Sequence, residues 1–493
     1  MRFSHLLAKA DLPAQRQGPD VEIAGVAIDS RQVRAGSCFV AVRGSAADGH
    51  RFIPQALAAG AAAVICEDPA AVPAGVSVAA IENTRLAAGP VAQAFHDWPA
   101  RKLTCVGVTG TNGKTTVTTL IHAILARAGR RAGLVGTIAY HAGARDIKAP
   151  NTTPDPVTLA QLCADMVAAG QSHLVMEVSS HALDQDRTSG LSFAAAVFTN
   201  LTGDHLDYHH TMEAYKAAKL RLFSQLGPHS AAVINRDDPA AEDFLSAAAG
   251  AGTVLSYGLN STAALWARIG RIDAAGTRFT LTHAGTETEF ATGLIGRHNV
   301  YNCLAAAGAG IALGVPMGDV VAALGATGNV RGRLERVDVP APYSVFVDYA
   351  HTDDALGNVL GALRPLLHGG RVIVVFGCGG DRDRTKRPRM AAVAQDLADR
   401  VIVTSDNPRS ERPEAIIEEI LAGLSEQGRR RTDVVADRRE AIEQALAQAA
   451  PGDIVLLAGK GHETEQVVGS QRLHFDDVEV AAEIMRRREG ERS

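Results

Sequence analysis

The chain has 493 residues, 46% of them hydrophobic and 21% charged, which is too long for one hydrophobic core and typical of a soluble globular enzyme. A net charge of −5 with no long basic run argues against nucleic acid as the main partner, and no apolar window reaches membrane-spanning length. Six scattered cysteines without a C-x-x-C pair, and no apolar leader with a small-residue cleavage site over Met1 to Asp20, predict a reduced, cytoplasmic protein. Residues 1–100 then read as a small α/β unit: a helix, short strands at 21–28 and 37–42, an alanine-rich helix and a strand at 63–66. Its polar turns, Asp29-Ser30-Arg31 and 44–50, are by themselves ordinary turn chemistry. The segment His96-Asp97-Trp98-Pro99-Ala100 breaks the periodicity and marks the first domain boundary, at about residue 100.

A second unit, 101–330, opens with Val106-Gly107-Val108-Thr109-Gly110-Thr111-Asn112-Gly113-Lys114-Thr115-Thr116, an apolar strand running into a glycine turn and then an amphipathic helix. Gly110 and Gly113 let backbone N–H groups approach phosphate oxygens, Lys114 adds charge, and the Thr115 hydroxyl suits magnesium. The stretch departs from the usual P-loop pattern in one place, because Val108 stands where the first glycine is expected. Apolar runs at 134–138, 173–178, 194–199 and 231–235 alternate with helical stretches, the pattern of a mostly parallel sheet with ligands at the strands' carboxyl ends. Glu177 falls at such an end, as a magnesium ligand or, equally, a cap for the next helix. Asp204-His205-Leu206-Asp207-Tyr208-His209 fits no familiar zinc spacing, and His205 reads better as a ligand of a second magnesium.

Thr109 to Thr116 resembles the nucleotide loop of the Mur ligases, the ATP-dependent amino-acid-adding enzymes of peptidoglycan synthesis, which depart from the general pattern in the same way. The resemblance extends over nearly the whole chain. It implies three domains: a UDP-substrate domain at 1–100, a central P-loop ATPase-like domain with a mostly parallel sheet at 101–330, and a doubly wound, Rossmann-like amino-acid domain at 331–493. ATP would contact Gly110, Thr111, Asn112, Gly113, Lys114, Thr115 and Thr116, with Asn299, in the Gly296 to Asn302 turn, and Arg333 and Asp348 from across a domain cleft. Ile28, Ser30 and the Ser45-Ala46-Ala47 turn would line the uridine site, and Asn151, Thr152, Thr153, Ser179, Gln185 and Arg187 the sugar and dipeptide. Only the resemblance singles out Lys219, a lysine on an amphipathic helix that would otherwise read as solvated surface. It aligns with the lysine that most family members carry as a carbamate, so that Thr115, Glu177, His205 and modified Lys219 would serve Mg²⁺, and Lys114, Glu177, His205 and Lys219 catalysis.

In the third unit, strands at 371–376, 400–404 and 453–458 alternate with helices, and no second P-loop occurs. Asp406-Asn407-Pro408-Arg409 is a polar turn that resembles the family signature for meso-diaminopimelate; Arg409 suits the distal carboxylate that L-lysine lacks. Arg382, and Gly459 with Glu463 in Gly459-Lys460-Gly461-His462-Glu463, are assigned to the same amino-acid site. The implied reaction is ATP-dependent addition of meso-diaminopimelate to the D-glutamate of UDP-N-acetylmuramoyl-L-alanyl-D-glutamate through an acyl phosphate, by a monomer with small-molecule substrates and no nucleic-acid or membrane partner. Alternatives are an L-lysine-adding ligase, a folylpolyglutamate-synthetase-like enzyme, or a nucleotide-binding protein without catalysis. His210 departs from the family pattern, standing where many relatives have glycine.

Overall fold

The computed structural model describes residues 1–44, 47–273, 275–367 and 369–490. Three sheets organise the chain. The first contains β1 (Gln15–Gln17), β2 (Gly25–Ala27), β3 (Ser37–Val40), β4 (Ala63–Cys66) and β5 (Ser77–Ala80) in the order β1-β5-β4-β3-β2, all parallel except the edge strand β1. Strands β3 and β4 are buried at every residue, the continuous apolar pattern expected when both faces of a parallel sheet are covered. Asp97 and Trp98 both take left-handed backbone angles (φ 65° and 51°), which ends the helix Thr84–Phe95 and redirects the chain.

The second sheet has eleven strands. Its heart is β6 (Thr104–Thr109), β7 (Ala132–Val135), β10 (His173–Glu177), β11 (Phe193–Phe198), β12 (Ala231–Asn235) and β13 (Thr253–Gly258), mutually parallel in the order β13-β12-β11-β6-β10-β7. Further strands flank it: β8 (Ala139–Ala142) and β9 (Arg145–Lys148), antiparallel, on one edge, and on the other β14 (Leu265–Asp273), parallel to β13, followed by the antiparallel β15 (Gly276–His283) and β16 (Thr286–Thr292). These hairpins lie outside the elements expected from sequence. β9 and β16 are largely exposed and alternate few apolar residues, so they carry little hydrophobic signal.

The third sheet has the order β17-β18-β22-β19-β20-β21, with β17 (Glu335–Arg336) antiparallel and β18 (Ser344–Asp348), β19 (Val372–Phe376), β20 (Arg400–Val403), β21 (Thr432–Val434) and β22 (Ile454–Ala458) parallel. A separate hairpin, β23 (Glu465–Val468) with β24 (Gln471–His474), follows β22. Separate apolar cores cover the two faces of each of the two larger sheets, so this is a three-domain α/β protein with three parallel-dominated sheets. All six cysteines are buried and unpaired. Among the described residues no helix is long and apolar enough to cross a membrane.

Candidate active site

Strand β6 is central in its sheet, and its neighbours end level with it: Glu177 of β10 pairs with Val108, and Phe198 of β11 with Thr109. The loop after β6 therefore opens among the carboxyl ends of three strands, where an open parallel sheet leaves a crevice. Gly110 has φ 146°, and a Cβ there would lie 1.9 Å from Thr199 Oγ1, so only glycine fits this close approach. The loop is held by Asn112 N donating to Asn200 Oδ1 (2.9 Å) and Thr199 Oγ1 donating to the Asn112 carbonyl (2.6 Å). The helix Lys114–Arg127 starts at once, aiming its N-terminus and dipole at the loop.

A cleft of about 610 Å³ opens between this loop and the third sheet. Its walls include residues 111–116, Thr152, Glu177, Ser179, His205, Lys219, Asn299, Arg333 and Asp348. Glu177 is buried and accepts from Thr115 Oγ1 (3.0 Å), Thr137 N (2.8 Å) and Thr137 Oγ1 (3.0 Å). It does not cap the next helix, because Ser179 takes that position and accepts from Ala182 N. Arg333 crosses from the third domain and donates from Nη2 to Thr115 Oγ1 (2.9 Å), with its guanidinium over the Tyr349 ring at 4.9 Å. A second cross-domain contact joins Asn112 Nδ2 to Asp354 Oδ2 (2.8 Å).

Lys114 folds back onto the carbonyls of Gly110 (2.9 Å) and Thr111 (2.8 Å), and burial lowers its pKa although Glu177 and Asp204 pull it up. Lys219, on the helix Met212–Ser224, is 1% exposed and donates to the Gly110 carbonyl (2.8 Å). Burial, reinforced by repulsion from Lys114, holds its pKa well below that of an ordinary lysine. His205 stands at φ 54° with Nε2 3.3 Å from Asp204 Oδ2, and burial pushes its pKa down. Burial also drives the pKa of Asp204 upward, but His205, His351, Lys386 and Lys114 outweigh it and keep the carboxyl below its usual range. Asp348 accepts from Leu334 N (2.6 Å) and Ala350 N (2.7 Å), and burial raises its pKa to about 6. Asn299 donates to the Ile295 carbonyl (2.8 Å) and accepts from Asn302 (2.9 Å), so its side chain is fixed by its own helix.

The oxygen donors of Thr115 and Glu177 suit a hard cation such as Mg²⁺. Lys219 as a plain amine supplies no anionic oxygen; burial favours its uncharged form, the form that takes up CO₂, so the residue would fit the role only as a carbamate.

Of the residues expected to hold the UDP-dipeptide, Thr152 and Ser179 line the cleft, whereas Asn151, Thr153, Gln185 and Arg187 are not among its lining residues. Thr152 Oγ1 meets Thr137 Oγ1 at 3.0 Å, Thr153 Oγ1 donates to the Glu177 carbonyl (2.8 Å), and Arg187 donates to the Thr153 carbonyl (2.9 Å) and to Gln185 Oε1. Asn151 is exposed, its carbonyl accepting from the Tyr140 hydroxyl. In the first domain Ser30 is buried against Gln55 (3.0 Å), Ile28 is half-buried and Ala47 is exposed; Ser45 and Ala46 lie outside the described residues. Of these first-domain residues, none that the structure describes lines the cleft.

At the end of the third sheet, Asn407 Nδ2 donates to Glu463 Oε2 (2.7 Å), and a Cβ on Gly459 would lie 2.6 Å from Asp406 Oδ2. Arg409 donates from Nη1 to the Gly380 carbonyl (2.7 Å), and the carbonyl of Pro408 accepts from Glu411 N (3.0 Å). Arg382 is exposed and donates to the Asp381 carbonyl (3.0 Å). The chain thus presents a phosphate-type loop and, on a different domain, a polar turn whose Arg409 guanidinium makes one hydrogen bond among the described residues.

Three profiles match in chain order: Mur ligase family, catalytic domain, at residues 22–96; Mur ligase middle domain at 108–310; and Mur ligase, glutamate ligase domain, at 332–461. The UDP-N-acetylmuramoyl-L-alanyl-D-glutamate--2,6-diaminopimelate ligase of Geobacter metallireducens is 45% identical, covering 97% of this chain and 98% of the relative. The chain belongs to the Mur ligase family. The similarly named ligase of Gloeobacter violaceus is 46% identical over 99% of both chains. A solved structure titled as a UDP-N-acetylmuramoyl-L-alanyl-D-glutamate--2,6-diaminopimelate ligase is 34% identical over 95% of each chain with a TM-score of 0.67. MurF of Acinetobacter baumannii, at 20% identity and TM-score 0.66, shares the fold.

The Mur ligase cleft also contains residues that sequence reasoning passed over. Gly136 and Thr137, after β7, grip Glu177, and a Cβ on Gly136 would fall 2.4 Å from Glu177 Oε1. The available signal was their place at the carboxyl end of a third parallel strand. Asn200 and Asp354 act on the loop from distant positions in the chain and had no local signal. His210 has φ 65°, and Thr211 N donates to the His209 carbonyl (2.8 Å) around it, a tight turn in the left-handed region that favours glycine.

Proposed function

We propose that this Mur ligase joins meso-2,6-diaminopimelate to the D-glutamate side chain of UDP-N-acetylmuramoyl-L-alanyl-D-glutamate, converting ATP to ADP and phosphate. The observation that carries the reading is the convergence on one cleft of the phosphate loop of the second domain and Arg333 of the third, with Arg333 Nη2 2.9 Å from Thr115 Oγ1. Names of the long, 45–46% identical relatives supply the substrates.

In this reading the loop amides and Lys114 hold the ATP phosphates, and Arg333 adds positive charge from the far side as the γ-phosphoryl group transfers. An oxygen of the glutamate carboxylate bonds to the γ-phosphorus as the bond to ADP breaks, giving an acyl phosphate. The amine of the incoming amino acid attacks the acyl carbon, loses a proton, and phosphate departs with the original carboxylate oxygen. Thr115 and Glu177 would hold one Mg²⁺, and His205 with Lys219 as its carbamate a second; the ions would neutralise phosphate charge. Thr152, Thr153, Ser179, Gln185 and Arg187 orient the sugar and dipeptide; Ile28, Ser30 and the 45–47 turn receive the uridine; Asn299 and Asp348 contact the nucleotide. Asp406, Asn407, Pro408, Arg409, Arg382, Gly459 and Glu463 receive the amino acid. Docking of the third domain brings amine and acyl phosphate together and excludes water. The enzyme acts as a cytoplasmic monomer on soluble precursors.

ADP release measured with each substrate omitted in turn tests the reading. ADP forms only with UDP-dipeptide and diaminopimelate both present; L-lysine in place of diaminopimelate gives little. Equal turnover with L-lysine makes the enzyme a lysine-adding ligase, and ADP release that ignores both substrates removes the ligase reading.

A further inference from the structure

We propose that Lys460 is a positioning residue that presents Glu463 as an ionised carboxylate, with one oxygen free, to an ammonium group of the incoming amino acid; this rests on the reading of the Asp406–Arg409 turn as the amino-acid site. Lys460 follows β22 and its side chain is 0% exposed. Its Nζ donates to the Glu465 carbonyl (2.6 Å) and lies 3.3 Å from Glu463 Oε2 and 3.5 Å from Asn407 Oδ1. A buried ammonium that made no compensating contacts would be costly, and these three contacts, to the turn after β20 and to the segment after β22, supply the compensation.

The contacts fix two side chains. Asn407 Oδ1 faces Lys460 and accepts from Val467 N (2.9 Å), so its Nδ2 points to Glu463 Oε2 (2.7 Å). Glu463 Oε2 is thus met by two donors, whereas Oε1 accepts from none among the described residues. The Glu463 side chain is 30% exposed, enough for that oxygen to meet a ligand.

Charge argues the same way. The titratable and charged groups facing Glu463 are Asp406 from the turn after β20, Tyr349 after β18, Lys460 after β22 and Arg438 from the helix Arg438–Gln448. Burial and Asp406 push the Glu463 pKa up, and Lys460 and Asn407 pull it back. Arg438 cannot replace Lys460, because it is committed to Asp477 in a fully buried pair (2.6 Å). The hairpin formed by β23 and β24 completes the arrangement: Arg409 N donates to the Val467 carbonyl (3.0 Å), Gly469 N to the Arg409 carbonyl (2.7 Å), and Gln466 to the Asp406 carbonyl (2.8 Å). Lys460, through the Glu465 carbonyl, holds the root of the hairpin that clamps the recognition turn.

The test is steady-state kinetics of Lys460→Met, Lys460→Arg and Glu463→Gln with ATP, UDP-dipeptide and diaminopimelate between about pH 6.5 and 8.5. Without the ammonium the Glu463 pKa rises further, so a larger share of the carboxyl is protonated at the acid end, and that share binds an ammonium poorly. Lys460→Met therefore raises KM for diaminopimelate about tenfold or more at the acid end, with the gap from wild type narrowing as pH rises and kcat and the KM for ATP within about twofold. Glu463→Gln raises the same KM at every pH, and adding Lys460→Met to it changes little further. Lys460→Arg keeps the charge and the wild-type pH profile, and it carries the test if the Met variant fails to fold. A KM for diaminopimelate within about twofold of wild type in Lys460→Met, a pH-independent loss shared with kcat and the KM for ATP, or an acid-side rise in Lys460→Arg overturns the proposal. Wild-type enzyme without turnover on diaminopimelate instead takes down the reading beneath it.

Discussion

Replacing Arg409 by alanine separates recognition of the amino acid from the rest of the reaction. Arg409 stands at φ 50°, and its main chain is tied on both sides by Val467 and Gly469. Alanine has the same Cβ and therefore the same backbone strain, so the turn keeps its shape. The guanidinium spends one bond, from Nη1 to the Gly380 carbonyl (2.7 Å), leaving a second face for a carboxylate. A charge-assisted hydrogen bond is worth about 1.5–3 kcal/mol, and a half-buried site lies at the lower end, so losing a two-bond contact costs about 2–4 kcal/mol. That is about 30- to 1,000-fold in kcat/KM for diaminopimelate. L-Lysine has no distal carboxylate and loses little, so the preference between the two amino acids collapses. Phosphate release with each amino acid, on wild type and Arg409→Ala, measures this. A loss below about threefold for diaminopimelate, or equal losses for both, refutes the assignment of Arg409.

Gly136→Ala pushes the Glu177 carboxylate out of place, because the new Cβ would fall 2.4 Å from Oε1; activity drops by about 100-fold or more while the melting temperature moves little, and near-normal activity would contradict the role of Glu177. Exhaustive removal of CO₂ lowers activity and bicarbonate restores it, since the depressed pKa of Lys219 leaves an amine able to form a carbamate; Lys219→Arg is inactive and unresponsive, and indifference of the wild type to CO₂ would count against the modification. Stability of the free enzyme falls as pH drops from 6.5 toward about 4: burial lowers His298 and His351 to about 4 in the folded state, so the unfolded chain binds more protons in that window. A flat urea-unfolding profile between those pH values would show that these histidines accept protons without loss.

Legibility in the sequence followed the physics of each element. The parallel strands were readable because burial on both faces leaves continuous apolar runs, and β4 and β12 fall at the expected residues. The flanking hairpins were not, because β9 is exposed along its length and β16 pairs mostly polar residues. The loop after β6 was legible as a strand, glycine turn and helix in fixed order, and Glu177 was legible as a strand-end acid, although the cap of the next helix is Ser179 and not Glu177. Lys219 had no residue-level signal: its burial arises from the helix Met212–Ser224 lying against the loop, a contact spanning over a hundred residues. Lys460 appeared in the sequence only as the lysine of the Gly459–Glu463 glycine turn, and its inward direction depends on the hairpin that the sequence did not announce.

The most direct measurement of the central claim follows oxygen from the substrate carboxylate. UDP-dipeptide labelled with ¹⁸O in both oxygens of the D-glutamate side-chain carboxylate is incubated with ATP, Mg²⁺ and diaminopimelate, and the released phosphate is analysed by mass spectrometry. Acyl-phosphate ligation predicts one labelled oxygen in each phosphate and the other in the new amide, with neither product formed when diaminopimelate is withheld. Unlabelled phosphate released at the same rate with or without the amino acid would contradict it.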